Sequence, residues 1–130
     1  MLQISKRSQY GIYFLLALAI KKNLISIRQI SQELRLPYRF LSQIAADLRN
    51  KHIVMSKEGS RGGYSLAKKP SDISLLAVVE ALDAPVGLID CQLEKGCNRA
   101  GHCKFRKQWD VVRNDIQNSL DKYNLQDFLD

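Results

Sequence analysis

Proline and glycine are scarce in this chain, at 3 and 7 of 130 residues. That excludes collagen-like and low-complexity classes. Long apolar runs are also missing. Gly11–Ile20 is ten residues, about half of what a bilayer span needs. Lys6 and Arg7 before that run, with Ala17-Leu18-Ala19 inside it, imitate a secretory leader. The run has helical amphipathic neighbours, and secretion would leave an unpaired cysteine outside the cell, so a folded helix is expected instead. Acid is missing from the start of the chain, where no carboxylate precedes Glu33. Paired cysteines are missing too: there are three, all between Cys91 and Cys103. An odd number in so short a stretch fits a reducing compartment, hence the cytoplasm, better than a disulfide framework.

An apolar fraction of 45% suffices for one core and excludes a disordered polycation. The charge is uneven. Residues 1–70 hold 13 basic and 3 acidic side chains, and residues 71–130 hold 7 and 10, within a net +7. A basic half beside a mildly acidic one calls for a polyanion on the first half only. Nucleic acid leads, with an anionic membrane surface as the alternative.

Periodicity predicts a first helix from about Ser5 to Lys21, with Ile12, Leu15, Leu16 and Ala19 inward. Ser26 opens a second helix, and Gln29 three residues on completes a capping box. Pro37 ends that helix, because the residue before a proline avoids helical geometry. A third helix runs from about Pro37 to Lys51, burying Leu41, Ile44, Ala45 and Leu48. Two short helices across a tight turn make a helix-turn-helix. Ile53-Val54-Met55 and Tyr64-Ser65-Leu66 read as a hairpin around a glycine-rich loop, which is the winged variant. Pro70 and Ser71-Asp72 mark a boundary. We therefore expect a DNA-binding region over residues 1–70. Residues 71–130 supply a buried helix (Ile73–Leu82), a cysteine loop and a long helix (Phe105–Tyr123), within one compact domain. The fold class is mainly α with a small β-hairpin wing. On the last helix Phe105, Trp109, Val112, Ile116, Leu120 and Tyr123 form a narrow stripe that suits either a partner helix or its own core. Asn124 caps a final turn anchored by Leu125, Phe128 and Leu129.

The third helix is the expected reader. Opposite its apolar face stand Tyr38, Arg39, Ser42, Gln43 and Ala46. Arginine forks onto guanine and glutamine pairs adenine, so Arg39 and Gln43 are the base-contact candidates. Ser42 serves either base, and Phe40 belongs to the core or to a thymine methyl. Arg61, among hairpin glycines, suits a minor groove. Ser5, Lys6, Arg7, Lys51 and Lys57 are phosphate candidates.

Cys91, Cys97 and Cys103 follow a C-x5-C-x5-C spacing. On one helix the sulfurs would scatter, but Gly96, Asn98 and Gly101 argue for a loop that can wrap them round one centre. Lys95, Arg99, Lys104, Arg106 and Lys107 favour thiolates there. The close knuckle of a zinc site is absent, so an iron–sulfur cluster fits better. His102 and Cys103 are adjacent, which is poor geometry for a nucleophilic pair, and no enzyme is expected.

Ile4-Ser5-Lys6 before an apolar helix, Ile30-Ser31 with Leu41-Ser42-Gln43, Gly62-Gly63-Tyr64-Ser65-Leu66-Ala67 and the cysteine trio together resemble the Rrf-two-type family of winged-helix regulators, over nearly the whole chain. The resemblance implies a homodimeric transcription factor on double-stranded operator DNA. Its long C-terminal helix would make the dimer, and a [2Fe–2S] cluster, in preference to [4Fe–4S], would tune affinity. The chain departs from the family in three places. Where IscR-like members place a ligating histidine, this chain has Arg106. Where relatives place a carboxylate on the partner's first helix, it has about Gln9, beside Ser8. The fourth ligand is then His102, Gln9, Ser8, water or a small thiol. In the wing, Glu58 replaces an arginine, and Arg61 lies three residues on. Two other readings stay open: a cluster-free regulator working with a protein partner, and a small zinc or thiol redox protein without a DNA role.

Overall fold

Ser5 starts the first helix from outside it. Its hydroxyl oxygen accepts the Ser8 N–H at 3.0 Å, the N-cap arrangement that satisfies a free backbone donor. Helix α1 then runs Lys6–Lys21 and closes at Lys22 in the left-handed region. The computed structural model describes residues 2–93 and 104–130. It continues with α2 (Ile27–Leu34), α3 (Tyr38–Asn50), β1 (Val54–Lys57), β2 (Gly63–Leu66), α4 (Leu75–Leu82) and α5 (Arg106–Lys122). Short 3-10 turns lie at Pro70–Asp72, Asp90–Gln92 and Leu125–Phe128.

The inward face of α1 is Gly11, Phe14, Leu15, Leu18 and Ala19. Ile12 and Leu16, expected inside, only flank the core. The helix contacts α2, α3, α4, β2 and the last 3-10 turn, so its buried arc is wider than a single stripe and turns toward Phe14 and Leu18. At Ser26 half of the expected capping box forms. The hydroxyl oxygen accepts the Gln29 N–H at 3.1 Å, but the Gln29 amide donates to Glu33 at 3.3 Å. Lys21 also donates to Glu33, at 2.8 Å. These two donors, Lys21 first, hold the Glu33 carboxyl below its ordinary pKa. This exposed link between α1 and α2 is therefore present at neutral pH and lost in acid.

β1 and β2 pair antiparallel, with Val54 opposite Leu66 and Lys57 opposite Gly63. Ile25 adds a rung by exchanging two hydrogen bonds with Tyr64, at 2.8 and 3.1 Å. The Tyr64 ring meets Phe14 edge to face at 5.9 Å. The wing is thus sewn to the linker between α1 and α2. The fold class is a winged helix-turn-helix with a long C-terminal helix.

Helix α4 starts later than periodicity suggests. Ile73 is extended and buried, and Ser74 caps the helix by accepting from Ala77. The cause is a bridge from Ser74 to Asn124. Asn124 forms a full capping box with Asp127 on the last turn. Leu125 is wholly buried there, whereas Phe128, expected as an anchor, is exposed. One apolar cluster joins Leu15, Ile44, Leu48, Val78, Leu82 and Leu125, so both halves of the chain share a core. Helix α5 contributes no buried residue to it.

Gly63 has φ of 151°, and a Cβ there would lie 2.5–2.8 Å from the Ile25 backbone. Gly63→Ala is expected to cost about 2 kcal/mol, read as a lower urea midpoint. An unchanged midpoint would contradict the close approach. Arg35 closes α2 with φ of 55°, a conformation glycine adopts without strain. Arg35→Gly is expected to raise stability by roughly 0.5–1 kcal/mol, seen as a higher melting temperature.

Candidate nucleic-acid interface and metal centre

The turn between α2 and α3 is held by Ser31. Its carbonyl accepts the Leu36 N–H at 3.0 Å, and its hydroxyl donates to the Leu36 carbonyl at 2.6 Å. Pro37 then begins α3 with no side-chain cap, so the first turn of α3 keeps N–H groups without a side-chain acceptor. Leu41, Ile44, Ala45 and Leu48 are buried. With 100° per residue, Arg39, Ser42, Gln43 and Ala46 lie on the opposite arc, whereas Tyr38, seven residues before the buried Ala45, shares the inward side and is open to solvent as the first residue of the helix. Arg39 and Gln43 are exposed and Ser42 is half-buried.

Tyr38 is 51% exposed, and the Arg28 guanidinium lies 5.8 Å from its ring centroid. Sequence patterning did not single out Arg28. Only the crossing of α2 over the start of α3 brings this cation to the reading end. Phe40 is half-buried and packs edge to face on Tyr10 at 5.5 Å. Of its two expected roles, packing is the one the ring performs here. Arg49 donates to Ser56 at 3.3 Å, tying α3 to the hairpin. Lys57 ends β1 and Arg61 stands near the hairpin tip, both exposed. The tip is tight, with the Gly62 N–H donating to Gly59 at 3.0 Å. Lys6 is exposed on the first turn of α1.

Two expected phosphate contacts are engaged inside the protein. The Ser5 hydroxyl donates to Asp83 Oδ2 at 2.7 Å. Arg7 donates through Nε to the Leu82 carbonyl at 2.9 Å and pairs through Nη2 with Asp47 on α3. Ser8 is wholly buried and also donates to Asp83 Oδ2, at 2.6 Å. The Ser8 hydroxyl is thus already engaged within the protein. The Gln9 amide donates to the Ile4 carbonyl at 2.6 Å, which folds its side chain back on the N-terminal segment. Helix α1 has no acid in its first turn. Asp83 supplies the negative charge that a helix N-terminus favours, from the far end of α4.

Cys91 sits half-buried in the Asp90–Gln92 turn. Gln92 fastens that turn. Its side-chain Oε1 accepts the Leu88 N–H at 2.9 Å, and its side-chain Nε2 donates to Asp110 on α5, also at 2.9 Å. Cys97, His102 and Cys103 lie outside the described residues. Among the described residues no three metal-ligating side chains converge. As a donor set, three thiols suit iron–sulfur ligation once deprotonated. Lys104, Arg106 and Lys107 are exposed just beyond them in sequence.

On α5, Phe105 is 68% and Trp109 40% exposed, with Val112 and Tyr123 also exposed. Val111, which the stripe omitted, is exposed as well. Ile116 and Leu120 are half-buried and line a cleft of about 480 Å³ with Ile4, Val79, Pro85 and Leu93. The stripe thus divides between a wet upper part and a part facing α4. No helix among the described residues is long and apolar enough to cross a membrane.

Comparison with known proteins agrees with this arrangement. The chain is 29% identical over 131 residues to protein rrf2 of Nitratidesulfovibrio vulgaris, covering 98% of this chain and 87% of that one. Its fold is similar to CymR, the global cysteine regulator of Bacillus subtilis, with TM-score 0.77 and 28% identity over 98% of this chain and 96% of that one. It is also similar to IscR of T. potens, with TM-score 0.76 and 26% identity over 98% of this chain and 86% of that one. Residues 4–130 match the family Rrf2, described as iron-dependent transcriptional regulators. The chain belongs to the Rrf2 family of transcriptional regulators, whose members bind DNA.

Proposed function

We propose that this protein is a cytoplasmic, homodimeric transcriptional repressor whose operator affinity is set by an iron–sulfur cluster on Cys91, Cys97 and Cys103. The observation that carries this reading is the placement of Cys91. It lies between α4, which shares a core with α3, and α5, which has no buried residue. When bound, the cluster supplies an inorganic centre responsive to redox state or nitric oxide, [2Fe–2S] in preference to [4Fe–4S].

The chain's own residues divide the remaining work. Arg39, Ser42 and Gln43 face base edges in the major groove, with Tyr38 and Arg28 at the leading end. Arg61 enters the neighbouring minor groove. Lys6 and Lys57 contact phosphates, which position the protein without reading sequence. The exposed stripe on α5, with Trp109 at its centre, packs against a second copy and sets the distance between the two α3 helices. Half-sites one helical turn apart require that distance to be held. Gln92 and Asp110 fix the Cys91 turn on α5, so any displacement of the cysteine segment bears on the subunit seam. With Ser8 engaged by Asp83, His102, Gln9, water or a small thiol is left for a fourth ligand position.

A second reading has support of its own. The similarity to CymR, named a cysteine regulator, favours a cluster-free regulator of the same fold. Anaerobic purification separates the two. The cluster reading expects coloured protein carrying iron and acid-labile sulfide. Colourless protein with three free thiols favours the second. Equal affinity of loaded and metal-free protein for one duplex overturns cluster control.

Arg39→Ala and Gln43→Ala are each expected to cost about 1–3 kcal/mol on a duplex selected from a random pool, and to relax specificity at one base pair. Lys57→Ala is expected to weaken all sequences alike and reduce the salt slope by about 1. Fluorescence anisotropy at several salt concentrations distinguishes the two patterns. Trp109→Asp is expected to yield monomers in sedimentation equilibrium while the helical far-ultraviolet spectrum persists.

A further inference from the structure

Arg7 draws three elements to one point. Its Nε–H donates to the Leu82 carbonyl at the end of α4, at 2.9 Å. Its Nη2 pairs with Asp47, in the third turn of α3. Arg7 itself belongs to the first turn of α1. That turn is held from the other side by Asp83, which accepts from Ser5 at 2.7 Å and from the wholly buried Ser8 at 2.6 Å. The side chain of Arg7 is 28% exposed and that of Asp47 41%, so the pair is partly withdrawn from water.

These contacts ask for a fork, not merely a charge. A guanidinium is planar and rigid and reaches two acceptors in fixed relative directions, whereas an ammonium is a single compact centre. The carbonyl of Leu82 and the carboxylate of Asp47 are two such acceptors on different helices. The cation also complements the negative end of the α4 dipole. Asp47 lies on α3 beyond the residues that face outward, so the bond bears on the tilt of the whole helix.

We propose that Arg7 is a positioning residue for sequence recognition. It holds α3 at a fixed tilt against α1 and α4, and Asp83 holds the turn that carries it. The inference rests on the DNA-reading role of α3 given above. It also supplies a route of coupling, because Asp83 begins the segment that leads to Cys91.

The test compares Arg7→Lys, Arg7→Gln and Asp47→Asn with the wild type, on a duplex the wild type selects from a random pool and on an unselected duplex. Positioning predicts that Arg7→Lys and Asp47→Asn lose about tenfold on the selected duplex. Their affinity for the unselected duplex, and the salt slope, stay unchanged. If Arg7 touches phosphate instead, Arg7→Lys preserves both affinities and Arg7→Gln lowers the salt slope by about 1, which overturns the proposal. Amide exchange is the second measurement. Arg7→Lys and Asp47→Asn are expected to speed exchange at residues 43–50 several-fold, with the hairpin unaffected. Unchanged exchange in α3 overturns the proposal even if the wild type enriches no sequence, a result that would count against the DNA reading alone.

Discussion

Everything in this fold leans on the close approach of α1 to α4. At Gly11 a Cβ would overlap the Leu82 side chain, so the missing side chain on α1 is the seat that Leu82 of α4 occupies. That contact lets Phe14, Leu15 and Leu18 reach the interior and meet Ile44, Leu48 and Val78 in one cluster. It also brings the end of α4 beside the start of α1, where Ser5, Arg7 and Ser8 find their partners. Apolar packing and polar satisfaction therefore support the same geometry. A buried serine hydroxyl without an acceptor would cost about 1–3 kcal/mol, and Asp83 removes that cost.

The same approach explains how residues from a mildly acidic half serve a basic one. The first half of the chain has almost no acid of its own. Its first helix nevertheless needs a negative group at its N-terminus, and its recognition helix needs a fixed tilt. Asp83 meets the first need from outside the basic half and Asp47 meets the second from within it. The outward face of α3 keeps its cations free of these contacts. Arg39 is exposed, while the internal bonds fall to Arg7. Two arginines that look alike in sequence thus do different work.

Much of the fold was legible from spacing. The buried set of α3, the hairpin after it and the Asn124 cap follow from local chemistry that periodicity and turn residues express. Periodicity selects too narrow an arc of α1, because a helix packed on several sides buries residues no single stripe selects, Phe14 and Leu18 among them. Ile73 resembles helix but is extended, because a bridge to Asn124, fifty residues on, claims Ser74. At the site, Arg39 and Gln43 could be named from their place opposite an apolar face. Nothing in local spacing marks the engagement of Arg7, Ser5 and Ser8, since their partners lie 40 to 78 positions away. Contacts across such separations leave no mark on local pattern.

The rung between Ile25 and Tyr64 has a mechanical meaning. A hairpin anchored only at its base could swing like a finger, but this one is pinned at its flank and meets Phe14 edge to face. It turns with α1 and α2 as one stiff piece. When such a body meets a double helix, little give is left on the protein side. Whatever adjustment such an encounter requires then falls to the duplex, whose cost of deformation depends on its base steps.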